Sequence, residues 1–231
     1  MNRHTSGCCV CGKELVYHDR EVQLQCVYCG ETFSSQATCV DNHYVCDQCH
    51  AMAANDVIEQ FCRQSTETDA LAMAFRLLNH PAVNMHGPEH HFLVPAVLLA
   101  AYYNLQNKPA EKVEKLVQAR NRAAQVPGGA CGYMGSCGAA IGAGIFMSLV
   151  QDTSPLSKES WSQVNETTGK CLLRIAAHGG PRCCKRNIFL AISQVLNILG
   201  MPVSRSITCT FSARNKQCLT RECPYFQEHR T

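Results

Sequence analysis

The sequence has little charge of one sign to spare. Its formal net charge is +3, charged residues make up 17% of it, and the basic residues are spread along the chain. Nucleic-acid binding usually shows as a concentrated basic face, so DNA or RNA is not the expected partner. A bilayer span needs about 18 consecutive apolar residues. The stretch FLVPAVLLAAYY is too short for that and reads as a core helix, so no membrane is expected. The opening MNRHTSGCCVCG is polar and lacks the apolar stretch of a secretory leader. Internal repeats and low-complexity tracts are missing as well, which leaves an ordinary folded chain.

What the sequence does hold is cysteine, 17 residues in 231. So many thiols without a leader point to metal rather than disulfides. They place the chain in a reducing, anaerobic cytoplasm. Hydrophobic residues make up 46%, enough for a substantial core. The length suits a small module plus a domain of about 150–200 residues.

Residues 1–50 are polar, cysteine-dense and without helical periodicity; the character changes at 51. AMAANDVIEQFCRQ and TDALAMAFRLLNH carry apolar residues three and four apart and predict helices. Thr68 or Asp69 can cap the second, Pro81 stops it, and NMHGPEHH follows as a loop. LVPAVLLAAYYNL is apolar on most faces, hence buried, and PAEKVEKLVQARNRAAQV is amphipathic with Pro109 near its first turn. Further helices are expected over 138–150, 157–177 and 184–199, then a short strand in SITCTF and an irregular tail. The fold class is mainly α: a zinc-ribbon-like module over 1–50, then an all-α domain over 51–231.

Cys8-x2-Cys11-Gly and Cys26-x2-Cys29-Gly are two knuckles, each aiming two thiolates at one ion, with a glycine to allow the turn. The alternating KELVYHDREVQLQ between them predicts a short hairpin. Together the knuckles predict a structural zinc on Cys8, Cys11, Cys26 and Cys29. A second set, Cys39-x3-His43-x2-Cys46-x2-Cys49, predicts another zinc, with Cys9 and His50 as bystanders. A crossed pairing between the sets is the alternative, and spacing does not decide it. A module this small has little core, so metal supplies its folding energy. Such modules serve as scaffolds or dock a protein partner.

The stretch GGACGYMGSCGAAIGAG, residues 128–144, has seven glycines. Cys137 stands just before a helix, where unpaired N–H groups and positive partial charge favour a thiolate or an anionic cluster. Glycine lets the backbone come close, either to a cluster or to a neighbouring helix. Cys171 lies in a helix, and Cys183 starts another in GGPRCCKRNIFLA. Three such cysteines suit a [4Fe–4S] cluster with one open iron.

GSCGAAIGAG resembles the first cluster-cysteine segment of the iron–sulfur L-serine dehydratases. CLLRIAAHGGPRCCKRNIFLAI resembles their later segment, with Cys183, Arg186 and Asn187 on a Pro-Cys-Ile-(Glu/Lys)-Arg-Asn-Ala run. HHFLVPAVLLAAYY resembles their Pro-Ala-Val-Leu helix. The segments fall in the family's order over residues 86–195. The related L-cysteine desulfidases also hold an open-site cluster through three cysteines. The chain further resembles an uncharacterised prokaryotic domain family that joins such a zinc module to this helical domain. The dehydratase resemblance implies a cluster on Cys137, Cys171 and Cys183, and elimination of water or hydrogen sulfide from a small amino or hydroxy acid. Arg186 is then the clamp for a substrate carboxylate, His90 or His91 the proton carrier, and Cys223 a gate to the open iron. HGPEHHFLV stands where the dehydratases carry a Thr-Ala-Gly-Ser loop, and Gly138, Ala139 and Ala140 replace their Gln and Glu.

Cys131 and Cys184 neighbour the proposed ligands, and either could close the cluster as a fourth. Cys62 reads as a core residue. The tail Cys209-x8-Cys218-x4-Cys223-Pro224 predicts a second cluster or zinc. Two functions follow: an iron–sulfur lyase acting on a small molecule, or a non-catalytic metal protein that senses redox state or docks a partner enzyme.

Overall fold

The structure is a computed structural model. It describes Cys8, Val10, Cys11, Cys49 and residues 13–46, 54–201 and 207–227. The two bystanders, Cys9 and His50, and the first residue of SITCTF lie outside the described residues.

Two antiparallel strands, β1 (Leu15–Gln25) and β2 (Thr32–Cys39), make the N-terminal sheet. The register runs from Leu15 opposite Cys39 to Gln25 opposite Thr32, with an irregularity between Tyr17 and Val22. The hairpin therefore does not lie within residues 13–25, as the alternation suggested. That stretch is a single strand, and its partner comes after the second knuckle. The reason is the knuckle itself. The Gly30 N–H bonds the Cys26 carbonyl at 2.9 Å, and Gly30 takes φ +77°, a left-handed value costly for other residues. This turn reverses the chain and serves as the hairpin loop.

From residue 54 the described chain is helical: α1 (Ala54–Gln64), α2 (Ala70–Asn79), α3 (Glu89–Leu105), α4 (Pro109–Ala123), the single turn α5 (Ala130–Tyr133), α6 (Gly138–Val150), α7 (Glu159–Ala176) and α8 (Cys184–Leu199). Asp69 caps α2, its carboxylate accepting from the N–H groups of Leu71 and Ala72. Pro109 stands at the start of α4, where its missing N–H costs nothing. Gly200 ends α8 with φ +63°.

Helix α3 is the hub, contacting α1, α2, α4, α6 and α8. Its apolar residues run round the whole circumference because every side meets a neighbour. The helix starts earlier than periodicity indicated. Pro88 caps it, so His90 and His91 belong to its first turn and not to a loop.

Glycine in α6 lets this helix press against its neighbours. A Cβ on Gly142 would stand 2.8 Å from the His91 carbonyl oxygen and 2.9 Å from Pro95 Cδ. Pro95 has no N–H to offer that carbonyl, so α6 backbone approaches it instead. A Cβ on Gly138 would overlap the His91 ring, and one on Gly144 would overlap Thr168 of α7. The glycines of the quoted loop thus receive α3 and α7.

No strand forms over 207–211; the segment 207–227 instead carries two single 3₁₀ turns, Ser212–Arg214 and Thr220–Glu222. Among the described residues it has no strand edge to pair with, and it is fastened to itself and the core. The Cys209 N–H bonds the Tyr225 carbonyl at 2.7 Å. Phe211 is buried against Phe75, and Tyr225 packs edge-on to Phe189. Among the described residues, no helix is long and apolar enough to cross a membrane.

Candidate metal centres

Eight N-terminal side chains converge in two groups of four. Cys8, Cys11, Cys39 and His43 form one and Cys26, Cys29, Cys46 and Cys49 the other, with ligand atoms within 4.8 Å of one another in each. The pairing is crossed, and the sequential assignment of Cys8 and Cys11 with Cys26 and Cys29 is not the one built. The strand register explains this. Cys39, at the end of β2, lies opposite Leu15 at the start of β1, next to the first knuckle. The second knuckle sits at the far end of the hairpin, and the Val27 N–H bonds the Tyr44 carbonyl at 3.0 Å, bringing Cys46 alongside.

In the first group Cys11 Sγ is 3.5 Å from Cys39 Sγ, and Cys8 Sγ is 3.9 Å from His43 Nδ1. In the second, Cys29 Sγ is 3.9 Å from Cys46 Sγ. A tetrahedral zinc with bonds of about 2.3 Å separates its sulfurs by roughly 3.8 Å, so both groups have the right size. Backbone N–H groups support the sulfurs: Val10 donates to Cys8, Asp41 to Cys39 and Cys46 to Cys26. Burial opposes ionisation of Cys39, yet the Asp41 N–H and the neighbouring Cys11, His43 and Cys8 groups overcome it and hold the thiol at about 7. Burial pushes Cys11 and Cys29 up to about 11. A metal ion entering such a group displaces protons from its thiols.

Of the three cysteines of the dehydratase-like segments, Cys137 and Cys183 line different cavities, and Cys171 lies within electrostatic reach of Cys137. Cys171 is wholly buried within the helical core, its thiol donating to the Ala191 carbonyl at 3.7 Å. Burial pushes it up to about 12. Cys137 precedes α6 and accepts from Asn187 Nδ2 at 3.4 Å. It lines an open cleft of about 1300 Å³, mouth included, with Gly129, Gly132 and Gly135 of the 128–144 loop, Cys131, Arg182, Arg186 and Asn187. Cys183 caps α8 and lines a second, tighter cavity with Cys209, Cys218 and Cys223. Arg186 borders both.

Arg186 is almost fully buried. Its guanidinium donates to the carbonyls of His178, Gly179 and Pro181 and to Asn187 Oδ1. These bonds hold the turn after α7, so most of its donors are engaged by the protein. His90 is buried, its Nδ1 3.0 Å from the Gly87 carbonyl and its Nε2 without a hydrogen-bond partner among the described residues. Burial, with Lys185 nearby, drives its pKa well below the usual histidine range, so it is neutral. His91 packs its ring on Gly138 with Nδ1 3.2 Å from the Val126 carbonyl, and burial lowers its pKa too. Cys62 is a core residue, as expected.

Sequence reasoning missed Asn187 and Asn215, whose amides donate to Cys137 and Cys183. Asn187 stood in the quoted Arg-Asn run; nothing about Asn215 marked it. It also missed that Cys183 and the tail cysteines face one cavity, because the two are far apart in the chain.

No curated protein and no solved structure matches the chain. Residues 58–226, nearly the whole helical part and most of the chain, match a family of unknown function (DUF5714), and the protein belongs to that family.

Proposed function

We propose that this protein is a non-catalytic metal protein of the cytoplasm. An N-terminal module over residues 1–50 holds two zinc ions and docks a protein partner. A helical domain over 51–231 carries an iron–sulfur cluster as a redox or sensing group. The observation that carries this reading is the pair of four-ligand groups, Cys8/Cys11/Cys39/His43 and Cys26/Cys29/Cys46/Cys49. Both are of zinc size, and one is all sulfur while the other includes a histidine.

Cadmium-113 NMR of protein reconstituted with cadmium tests the crossed arrangement. Two resonances are expected, one for an all-sulfur site and one for a site with nitrogen. Cys11→Ser should move the nitrogen-containing one. If it moves the all-sulfur resonance instead, the pairing is sequential and this reading of the module is wrong.

A second reading, a lyase eliminating water or hydrogen sulfide, draws on the cleft beside Cys137 and on the resemblance of the helical segments. The cleft offers Arg182 and Asn187 to a small carboxylate-bearing molecule. Against it stand the burial of Cys171, the engagement of Arg186 by carbonyls and the neutral, enclosed His90. Anaerobic assays of the reconstituted protein with serine and cysteine decide between the two. Pyruvate and ammonia, with sulfide from cysteine, would establish the lyase; the non-catalytic reading expects none.

A further inference from the structure

We propose that Cys183, Cys209, Cys218 and Cys223 ligate one [4Fe–4S] cluster, closed by four protein thiolates, in the cavity between the start of α8 and the segment 207–227. This assignment rests on the iron–sulfur part of the reading above and gives it a ligand set different from Cys137, Cys171 and Cys183.

The first support is convergence. All four cysteines line one cavity, together with Phe189, Phe211, Leu219 and Tyr225. The cavity space is about 410 Å³, mouth included. These sulfurs are not gathered as the zinc groups are: no three of them lie within 4.8 Å of one another. A cluster holds its cysteine sulfurs further apart than a single ion does, so this set is compatible with a cluster and too open for one tetrahedral ion.

The second support is the local backbone. The Phe211 N–H donates to Cys209 Sγ and the Thr220 N–H to Cys218 Sγ, each at 3.3 Å. The same i to i+2 turn holds Cys8 and Cys39 in the zinc groups. Cys183 accepts from the Arg186 N–H at 3.5 Å and from Asn215 Nδ2 at 3.7 Å, at the positive end of a 16-residue helix. Thiols held by N–H donors are the arrangement that stabilises thiolate sulfur.

The third support is charge. Lys185 and Arg186 are both buried. The hydrogen-bond partners of Lys185 are the Leu78 and Val83 carbonyls. Those of Arg186 are carbonyls and an amide. Glu89 acts on Lys185 at a distance, but neither cation has an ion pair among the described residues. Buried cations without a counterion are costly. Four thiolates around a [4Fe–4S] core carry net negative charge and supply it. Lys185 also sits 5.1 Å above the Phe211 ring, on the cavity wall. With every iron bound to protein, such a cluster has no open Lewis-acid position and serves electron transfer or sensing.

The test is anaerobic reconstitution of the full chain with ferrous iron and sulfide, followed by iron, sulfide and zinc analysis, visible absorption and EPR after reduction. The expected content is about four irons and four sulfides per chain. Cys209→Ser and Cys218→Ser should lose most of the iron and the EPR signal, while Cys137→Ala and Cys171→Ala keep them. Unchanged zinc content and helical circular dichroism would show that the variants remain folded. Should the serine variants unfold, Mössbauer spectra of the unsubstituted protein with and without cyanide replace them. A closed cluster gives the same spectrum in both, and a distinct iron site appearing with cyanide overturns the proposal. Loss of iron in Cys137→Ala with retention in Cys209→Ser overturns this ligand set but leaves an iron–sulfur protein. No iron uptake, or extra zinc bound at these cysteines, overturns both this assignment and the iron–sulfur part of the wider reading, while the zinc module stands or falls on its own cadmium test.

Discussion

The N-terminal hairpin and the C-terminal segment 207–227 hold cysteines in the same turn, a thiol accepting the N–H two residues on. Their surroundings differ. Around the second N-terminal group the buried apolar cluster is Cys26, Tyr28, Cys46 and Cys49, so most of that small core is made of ligands themselves. The C-terminal segment rests on the large helical core through Phe211 and Tyr225. In the first region, by the reading proposed above, metal substitutes for a core; in the second a core is already present, and the cysteines are set into its edge. The same turn therefore serves folding at one end of the chain and, by our assignment, cofactor chemistry at the other.

Chelation should separate the two regions most sharply. Stripping zinc at neutral pH is expected to unfold residues 8–49 while the helical signal persists, because the module lacks a core of its own. Hydrogen exchange measured before and after chelation reports this: protection across the β1–β2 ladder should vanish and that of α3 remain. Survival of the ladder would mean that the hairpin does not need its metal.

A packing change should have the opposite distribution. Gly142→Ala places a methyl 2.8 Å from the His91 carbonyl. Overpacking of this kind costs about 1–3 kcal/mol. Denaturant unfolding of the helical part should register that loss with zinc content unchanged. An unaltered midpoint would show that α6 can draw back from α3 freely.

The smallest effect concerns pH. His90 has a folded pKa well below its unfolded value of about 6.5. The unfolded chain therefore takes up a proton first as pH falls, and stability contributed by neutral His90 is present above about 6.5 and lost below it, by at most about 1.4 kcal/mol per pH unit. Lys185, His86, His91 and Glu89 act on or face this ring. Between pH 7 and about 5 the His90→Gln variant should show a shallower loss of helical-domain stability than the unsubstituted protein. Parallel curves would place the proton uptake elsewhere.

The helices were legible because their apolar residues recur with helical spacing and their ends carry local signals such as Asp69 and Pro109. The first turn of α3 was not, since Pro88 and two histidines look like loop chemistry until the helix packs over them. The residues of the two candidate metal groups were visible in the knuckles and the Cys39–Cys49 set. How they divide was not, because crossed pairing follows from the β1–β2 register, a relation between distant residues. The same limit hid Cys183. Its neighbours in sequence suggested a partnership with Cys137 and Cys171, and nothing in them marked the tail cysteines that line the same cavity.

Tyr28 stands between Cys26 and Cys29, inside the second knuckle, and its ring meets the His80 ring edge-on at 4.0 Å, where His80 closes α2. A residue that joins the hairpin to the helices is thus carried on a loop that also bears two of the candidate metal ligands. If zinc fills this group as proposed, its supply sets more than whether the hairpin is folded: it also sets whether Tyr28 is presented to His80, so a partner that must touch both rings' surroundings at once would read metal status as geometry.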